Sequence, residues 1–239
     1  DKAVADGRGG RPYIYFGENI WSYSETLSQA NRLAHVLVDD YGLVPGERVL
    51  LRSGNHPMLI IAWFAILKAG GTVVNYSPLY AEPELLHQIE DSETDFMVTL
   101  NLEVLYGKMA RLLDESRLQK LIVGTMPEVL PFPKSLLFPL VRRRDIARVN
   151  EDAGCIPFQQ LMNNTGDYTL VDTKPEDIAV LQYTGGTTGV PKGAMLSHGA
   201  LYVNVQQGVS WADDFEFGGE RILAVLPFFH CGLMARCCR

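Results

Sequence analysis

Between Tyr183 and His198 the chain reads YTGGTTGVPKGAMLSH, sixteen residues with four glycines, three threonines and one lysine. Glycine tolerates positive φ and lets a ligand come close to the backbone, so successive amides of such a loop can converge on one anion. Thr184, Thr187 and Thr188 add hydroxyl donors, and Lys192 adds a compact positive charge. Donors and one cation beside free amides suit a polyphosphate. The plainer alternative is a glycine-rich hairpin that binds nothing.

Two known phosphate loops do not fit. The Walker form requires G-x-x-x-x-G-K-[ST], whereas Lys192 follows Pro191 and precedes Gly193, leaving no adjacent hydroxyl for a magnesium ion. The dinucleotide fingerprint G-x-G-x-x-G opens directly into a helix, whereas GGTTG lacks that spacing and leads into a strand-like run.

The elements that must hold this loop are VLQYT before it and KGAMLSH after it, both read as strands. A helix is expected from about His198 or Gly199, with His198 as its cap, and a further strand over 221–227. Upstream, Ser22 and Glu25 have capping-box spacing, and the helix they start carries Leu27, Ala30, Ala34 and Leu37 on one stripe, ending near Gly42. Strands are expected at 48–54, 72–77, 96–100 and 120–124, alternating with helices at 58–68, 84–91 and about 103–115. Such alternation predicts an α/β fold with mostly parallel sheets flanked by helices.

The alternation breaks at 126–144, where four prolines interrupt an apolar stretch that ends in Arg142, Arg143 and Arg144. One reading is a surface excursion whose leucines and phenylalanines pack back on the domain. The other is a peripheral membrane contact, because apolar insertion beside basic charge suits an anionic leaflet.

The chain has 239 residues, 47% hydrophobic and 21% charged, with a net charge of -7. An acidic surface disfavours nucleic acid as a partner. Cys155, Cys231, Cys237 and Cys238 are too few and too unevenly placed for a disulfide framework or a standard zinc site, and are read as free thiols in a reducing, cytoplasmic compartment. The polar first residues lack the apolar core of a signal peptide, and the longest apolar run, MLIIAWFAIL, is too short to span a bilayer. His35, His56 and His87 show no ligand spacing and read as structural.

The loop YTGGTTGVPKGAMLSH resembles the phosphate-loop signature of the adenylate-forming superfamily of acyl-CoA synthetases, luciferases and peptide-synthetase adenylation domains. WSYSETLSQANRLAHVL is similar to the first core helix of that family, LKAGGTVVNYSPLY to its helix-to-strand turn, and LPFFH to the segment that lines the acyl pocket. NYSPLY followed by PEL, the LPFPKSLLFPLVRRR insertion and QYTGGTTG look most like bacterial long-chain fatty-acid CoA ligases.

The resemblance implies a two-step reaction with ATP, Mg2+ and CoA. A fatty carboxylate attacks the α-phosphate of ATP to give an acyl-adenylate and pyrophosphate, and the CoA thiol then displaces AMP. Thr184, Gly185, Gly186, Thr187, Thr188 and Gly189 match the loop that holds the β- and γ-phosphates, with Lys192 as its cation. His230 matches the histidine beside the carboxylate, and Phe228 and Phe229 border the acyl pocket. From the residues alone, His230 also reads as a packed or surface histidine at a strand end.

The resemblance implies a first subdomain over 1–170 and the start of a second over 171–239. It ends just after His230, before the adenine segment, the magnesium-binding acid, the ribose aspartate, the hinge and the small C-terminal lid domain with its lysine. The chain is therefore expected to be an N-terminal fragment, poorly active alone and prone to oligomerise through unpaired sheet edges. The competing functions are a non-catalytic nucleotide- or acyl-binding module and a ligase for medium-chain or aryl acids.

Overall fold

The computed structural model of the chain describes residues 1–77, 80–151, 154–184, 191–211 and 221–229. A two-stranded hairpin, β1 (Pro12–Phe16) and β2 (Asn19–Ser22), leads into α1 (Tyr23–His35). The capping box forms as its spacing predicts. Ser22 Oγ accepts from the Glu25 N–H at 3.1 Å, and the Glu25 carboxylate accepts from the Ser22 N–H at 2.7 Å. The buried stripe is Thr26, Ala30, Leu33 and Ala34, rotated away from Leu27. Val36–Asp40 continues as a wider, π-type turn, and the chain leaves at Gly42 with φ 67°.

The next elements are β3 (Arg48–Arg52), α2 (Pro57–Lys68), β4 (Thr72–Asn75), α3 (Glu82–Asp91), β5 (Phe96–Leu100), α4 (Glu103–Glu115) and β6 (Lys120–Gly124). After them come α5 (Lys134–Val141), β7 (Cys155–Pro157), α6 (Phe158–Leu161), β8 (Ile178–Thr184), β9 (Lys192–Ser197) and α7 (His198–Ser210). Seven strands make one sheet in the order β7-β6-β5-β3-β4-β8-β9. Every neighbouring pair is parallel except β8 and β9. β8 lies beyond the expected boundary at 170/171 yet pairs with β4, so the sheet crosses that boundary.

Strands covered on both faces need apolar side chains at successive positions. All of β4 and β5, and β3 from Val49 onward, are buried. Helices α1 and α2 supply Leu33, Ala34, Leu59 and Ile66 to one core cluster, whereas α3 and α4 supply Leu85, Ile89, Met109 and Leu112 to the other. The apolar α2 is buried nearly all round, from Pro57 to Ile66 except Phe64. Gly70, at φ 74°, turns the chain from its end into β4, a conformation that L side chains rarely adopt.

Three local expectations are corrected. Residues 221–227 form no strand, and the Ala224 and Leu226 carbonyls accept from Asn55 instead of from a neighbouring strand. Helix α7 is capped by Ser197, whose Oγ accepts from the Ala200 N–H at 3.2 Å, and His198 is its first residue. Third, Val129 is buried and Met126 packs against the core, but most leucines and phenylalanines of 126–144 do not pack back on the domain. Phe132, Leu136, Leu137, Leu140 and Val141 are exposed on and beside α5, while Phe138 is half-buried. Pro139 lies inside α5, which stays short. No helix among the described residues is long and apolar enough to cross a membrane.

His56 carries a pH-dependent share of stability. It caps α2 through Nδ1, which accepts from the Met58 N–H at 3.2 Å, and it packs edge-on against Phe16. Only 3% of it is exposed, and burial lowers its pKa from 6.5 to about 4. The unfolded chain therefore takes up a proton that the folded chain refuses, so this stability is whole above pH 6.5 and is lost as the pH falls towards 4. The loss amounts to about 3 kcal/mol. Urea unfolding across that range should show it, and His56→Asn, which keeps a capping oxygen but cannot titrate, should show about that much less pH dependence. Equal slopes for the two proteins would remove His56 as the cause.

Candidate functional site

Strands β8 and β9 form an antiparallel hairpin around 185–190, with Gln182 opposite Ala194, Tyr183 opposite Gly193 and Thr184 opposite Lys192. The exposed Thr184 and Lys192 thus meet at the mouth of the glycine loop. Gly185, Gly186, Thr187, Thr188 and Gly189 lie outside the described residues, as does His230.

The hairpin root is held by aromatic packing. The Tyr183 hydroxyl donates to the Asp91 carboxylate at the end of α3, and its ring stacks on Tyr76 at 5.8 Å. A side chain at position 193 would sit 3.2 Å from the Tyr183 ring, tighter than ordinary contact, so glycine there makes room for the ring. Burial first, and the Asp91 hydrogen bond second, raise the Tyr183 phenol well above its ordinary range, so it stays a neutral donor. His198, just beyond β9, has its pKa lowered by burial, partly offset by Asp177.

At the C-terminal ends of β4 and β8 lies a cavity of about 220 Å³. Asn75, Ser77 and Tyr80 line one side, Gln182, Tyr183 and Thr184 the other, and Phe229 closes it. Asn75 Nδ2 donates to Gln182 Oε1 at 3.2 Å, tying the two strand ends together below the opening. Phe228 is buried in the core cluster shared with α1 and α2, while Phe229 is half-buried at the cavity. A second cavity of similar size, between α1 and Thr165, lies apart from the loop and has no titratable residue in its lining.

The cavity lies one strand away from a divergence of connections in the sheet. β3 is flanked by β4 and β5, and its connection through α2 runs on one face while that of β4 through α3 runs on the other. Crevices at the carboxyl ends of strands where connections diverge are the usual ligand sites of open α/β sheets. Sequence reasoning singled out Thr184, Lys192 and Phe229, which the fold gathers at this edge. It passed over Asn75, Ser77, Tyr80, Gln182, Asp91 and Asn55. NYSPLY was the one available signal for the first three, and nothing in the sequence marks Asp91 or Asn55 as partners of distant segments.

Among known proteins, residues 2–238 match the family of AMP-binding enzymes. The chain is 35% identical over 224 residues to a long-chain-fatty-acid–CoA ligase of Bacillus subtilis (strain 168), covering 90% of this chain and 39% of that protein. It is 31% identical over 223 residues to the long-chain-fatty-acid–CoA ligase of Escherichia coli O157:H7, covering 91% of this chain and 39% of that protein. A solved long-chain-fatty-acid-CoA ligase from Archaeoglobus fulgidus superposes with a TM-score of 0.74 at 24% identity, covering 98% of this chain and 43% of its own. An anthranilate CoA ligase in complex with anthranoyl-AMP superposes with a TM-score of 0.68 at 19% identity, over 84% of this chain and 34% of its own. The solved structures share the α/β fold, and the chain spans 39% of the length of those two curated relatives. A family match from residue 2 to residue 238, on a sheet with its glycine loop between β8 and β9, makes this chain a member of the AMP-binding enzyme family.

Proposed function

We propose that the chain carries the phosphate-binding loop and part of the acyl pocket of an ATP-dependent acid–thiol ligase acting on long-chain fatty acids. A carboxylate oxygen of the acid attacks the α-phosphorus of ATP and pyrophosphate leaves. The CoA sulfur then attacks the acyl carbon, with loss of its proton, and AMP leaves. The observation that carries this reading is the juxtaposition of Thr184 and Lys192, at the mouth of the loop, with a cavity bounded by Tyr80, Tyr183 and Phe229. A phosphate-binding pole and an aromatic wall share one strand edge. The loop amides, Thr184, Thr187, Thr188 and Lys192 would stabilise charge on the departing pyrophosphate. His230, two residues after the buried Phe228, would orient the carboxylate. Mg2+ would arrive with ATP, but no group of three His, Cys, Asp or Glu among the described residues could hold a metal, so no described residue is assigned to it.

Exchange of labelled pyrophosphate into ATP, dependent on a long-chain acid, tests the first step. Tight ATP binding with no exchange would instead support a nucleotide-binding module. Lys192→Ala should weaken ATP and pyrophosphate binding at least about tenfold, as expected for losing one charge-assisted contact. Unchanged affinity by calorimetry would take Lys192 out of the site.

Helix α5 supports a second proposal, a peripheral contact with an anionic bilayer. Leu136, Leu137, Leu140 and Val141 occupy one arc of the helix and are exposed, with Phe132 81% exposed beside them. From residue 134 to residue 148 the chain carries Lys134, Arg142, Arg143, Arg144 and Arg148 against Asp145 alone, in a protein whose net charge is -7. An apolar arc flanked at both ends by positive charge, with Lys134 paired to Glu18 and Arg142 to Asp145 but Arg143, Arg144 and Arg148 also present, complements an anionic lipid surface. The chain should co-sediment with phosphatidylglycerol vesicles more than with phosphatidylcholine vesicles, and the double variant Leu136→Glu/Leu140→Glu should not. Equal failure on both lipids would leave α5 as an ordinary surface helix.

A further inference from the structure

Residues 221–227 touch the rest of the chain through few side chains of their own, Arg221 over the Tyr15 ring at 5.0 Å and Ala224 against the core. Ile222, Leu223, Val225 and Leu226 are exposed, and the segment joins no ladder among the described residues. Asn55, in the turn between β3 and α2, takes the place of a neighbouring strand. Its Nδ2 donates to the Ala224 carbonyl at 2.8 Å and to the Leu226 carbonyl at 2.9 Å, and its Oδ1 accepts from the Phe228 N–H at 2.8 Å. The partners fall on alternate residues, the spacing at which a β-strand presents its backbone groups to one side. Both N–H donors of the primary amide are used, together with its oxygen. These bonds span 169 to 173 residues of sequence, so local structure does not bring them about.

Asn55 is itself well placed to hold position. Arg52 ends β3 three residues before it, and His56, directly after it, is the buried cap of α2. The turn is thus pinned at both ends by core elements, and it lies at the crevice where the connections of β3 and β4 diverge. What Asn55 holds ends at Phe228, buried at 5% exposure, and the next residue is Phe229, which closes the cavity beside Thr184. Asn55 is not part of the cavity lining, so any influence on the site passes through 224–228.

We propose that Asn55 is a positioning residue for the acyl-facing wall of the site, its amide fixing 224–228 so that Phe229 lines the cavity beside Thr184. The inference rests on the ligase reading above, since that reading makes the wall an acyl wall. It predicts a split: acyl binding depends on Asn55, while phosphate binding by the β8–β9 loop does not.

The test uses the full chain and two substitutions. Asn55→Ala removes all three bonds. Asn55→Asp keeps the size and the acceptor for Phe228, but sets a carboxylate against two carbonyl oxygens. Hydrogen exchange of the 224–228 backbone, binding of cis-parinaric acid by fluorescence, binding of ATP by calorimetry, and the thermal melt are measured for each. The expected result is faster exchange at Phe228 in Asn55→Ala than in Asn55→Asp, and an affinity for parinaric acid about tenfold weaker in both, the worth of one or two net hydrogen bonds. ATP affinity should stay at the wild-type value. Faster exchange with unchanged parinaric acid affinity would overturn the proposal, and so would an equal loss of ATP and acid binding, the mark of a merely structural role. Wild-type protein that binds ATP but no parinaric acid would overturn the acyl reading and this inference with it. Binding of both ligands by wild type and variants alike would confine the failure to Asn55.

Discussion

Parallel pairing is the constraint from which the rest of this structure follows. Neighbouring parallel strands cannot be joined by a tight hairpin, so each connection must cross a face of the sheet. From β7 to β8 every pair is parallel, which puts all those strand ends on one edge and covers the sheet with helices on both faces. Asn55 after β3, Asn75 in β4 and Thr184 in β8 are far apart in sequence yet share that edge. The antiparallel β9 departs from the rule and returns Lys192 to the same edge opposite Thr184.

A parallel ladder spends its backbone groups on neighbouring strands, and the loops beyond its edge must be secured otherwise. Here side chains do it. Asn75 and Gln182 join the ends of β4 and β8, Tyr183 reaches Asp91 on α3, and Asn55 holds 224–228. Each such bond contributes only about 0.5–1.5 kcal/mol net, but a buried partner left alone costs more, so these contacts act chiefly on geometry. Glycine at 193 serves the same end by leaving space for the Tyr183 ring.

Much of the fold was legible because the physics that forms these elements is local. Ser22 and Glu25 bond each other within one turn, and the apolar runs of β5 and β6 are those of strands covered on both faces. β3 and β4 stop two residues before the expected ends, where the chain turns into the loops at the carboxyl edge of the sheet. Residues 221–227 have the composition of a strand, yet a side chain bonds their carbonyls and no ladder forms. The leucines of α5 have the composition of a core, yet they are exposed, because composition does not say which face a short helix turns to its neighbours.

The sequence by itself determined the α/β class, the strands β3, β4, β5, β6, β8 and β9, and a loop rich in glycine and threonine between the last two, since each depends on residues close together in the chain. Tertiary structure alone decided that Thr184, paired with Lys192, lines one cavity with Asn75, Tyr80 and Phe229, that Phe228 belongs to the core, and that Asn55 is the partner of 224–228. Those relations join residues up to 173 positions apart, and they arise only when β3, β4 and β8 lie side by side. No local spacing encodes such a distance, because it is set by the order of strands across the sheet rather than along the chain.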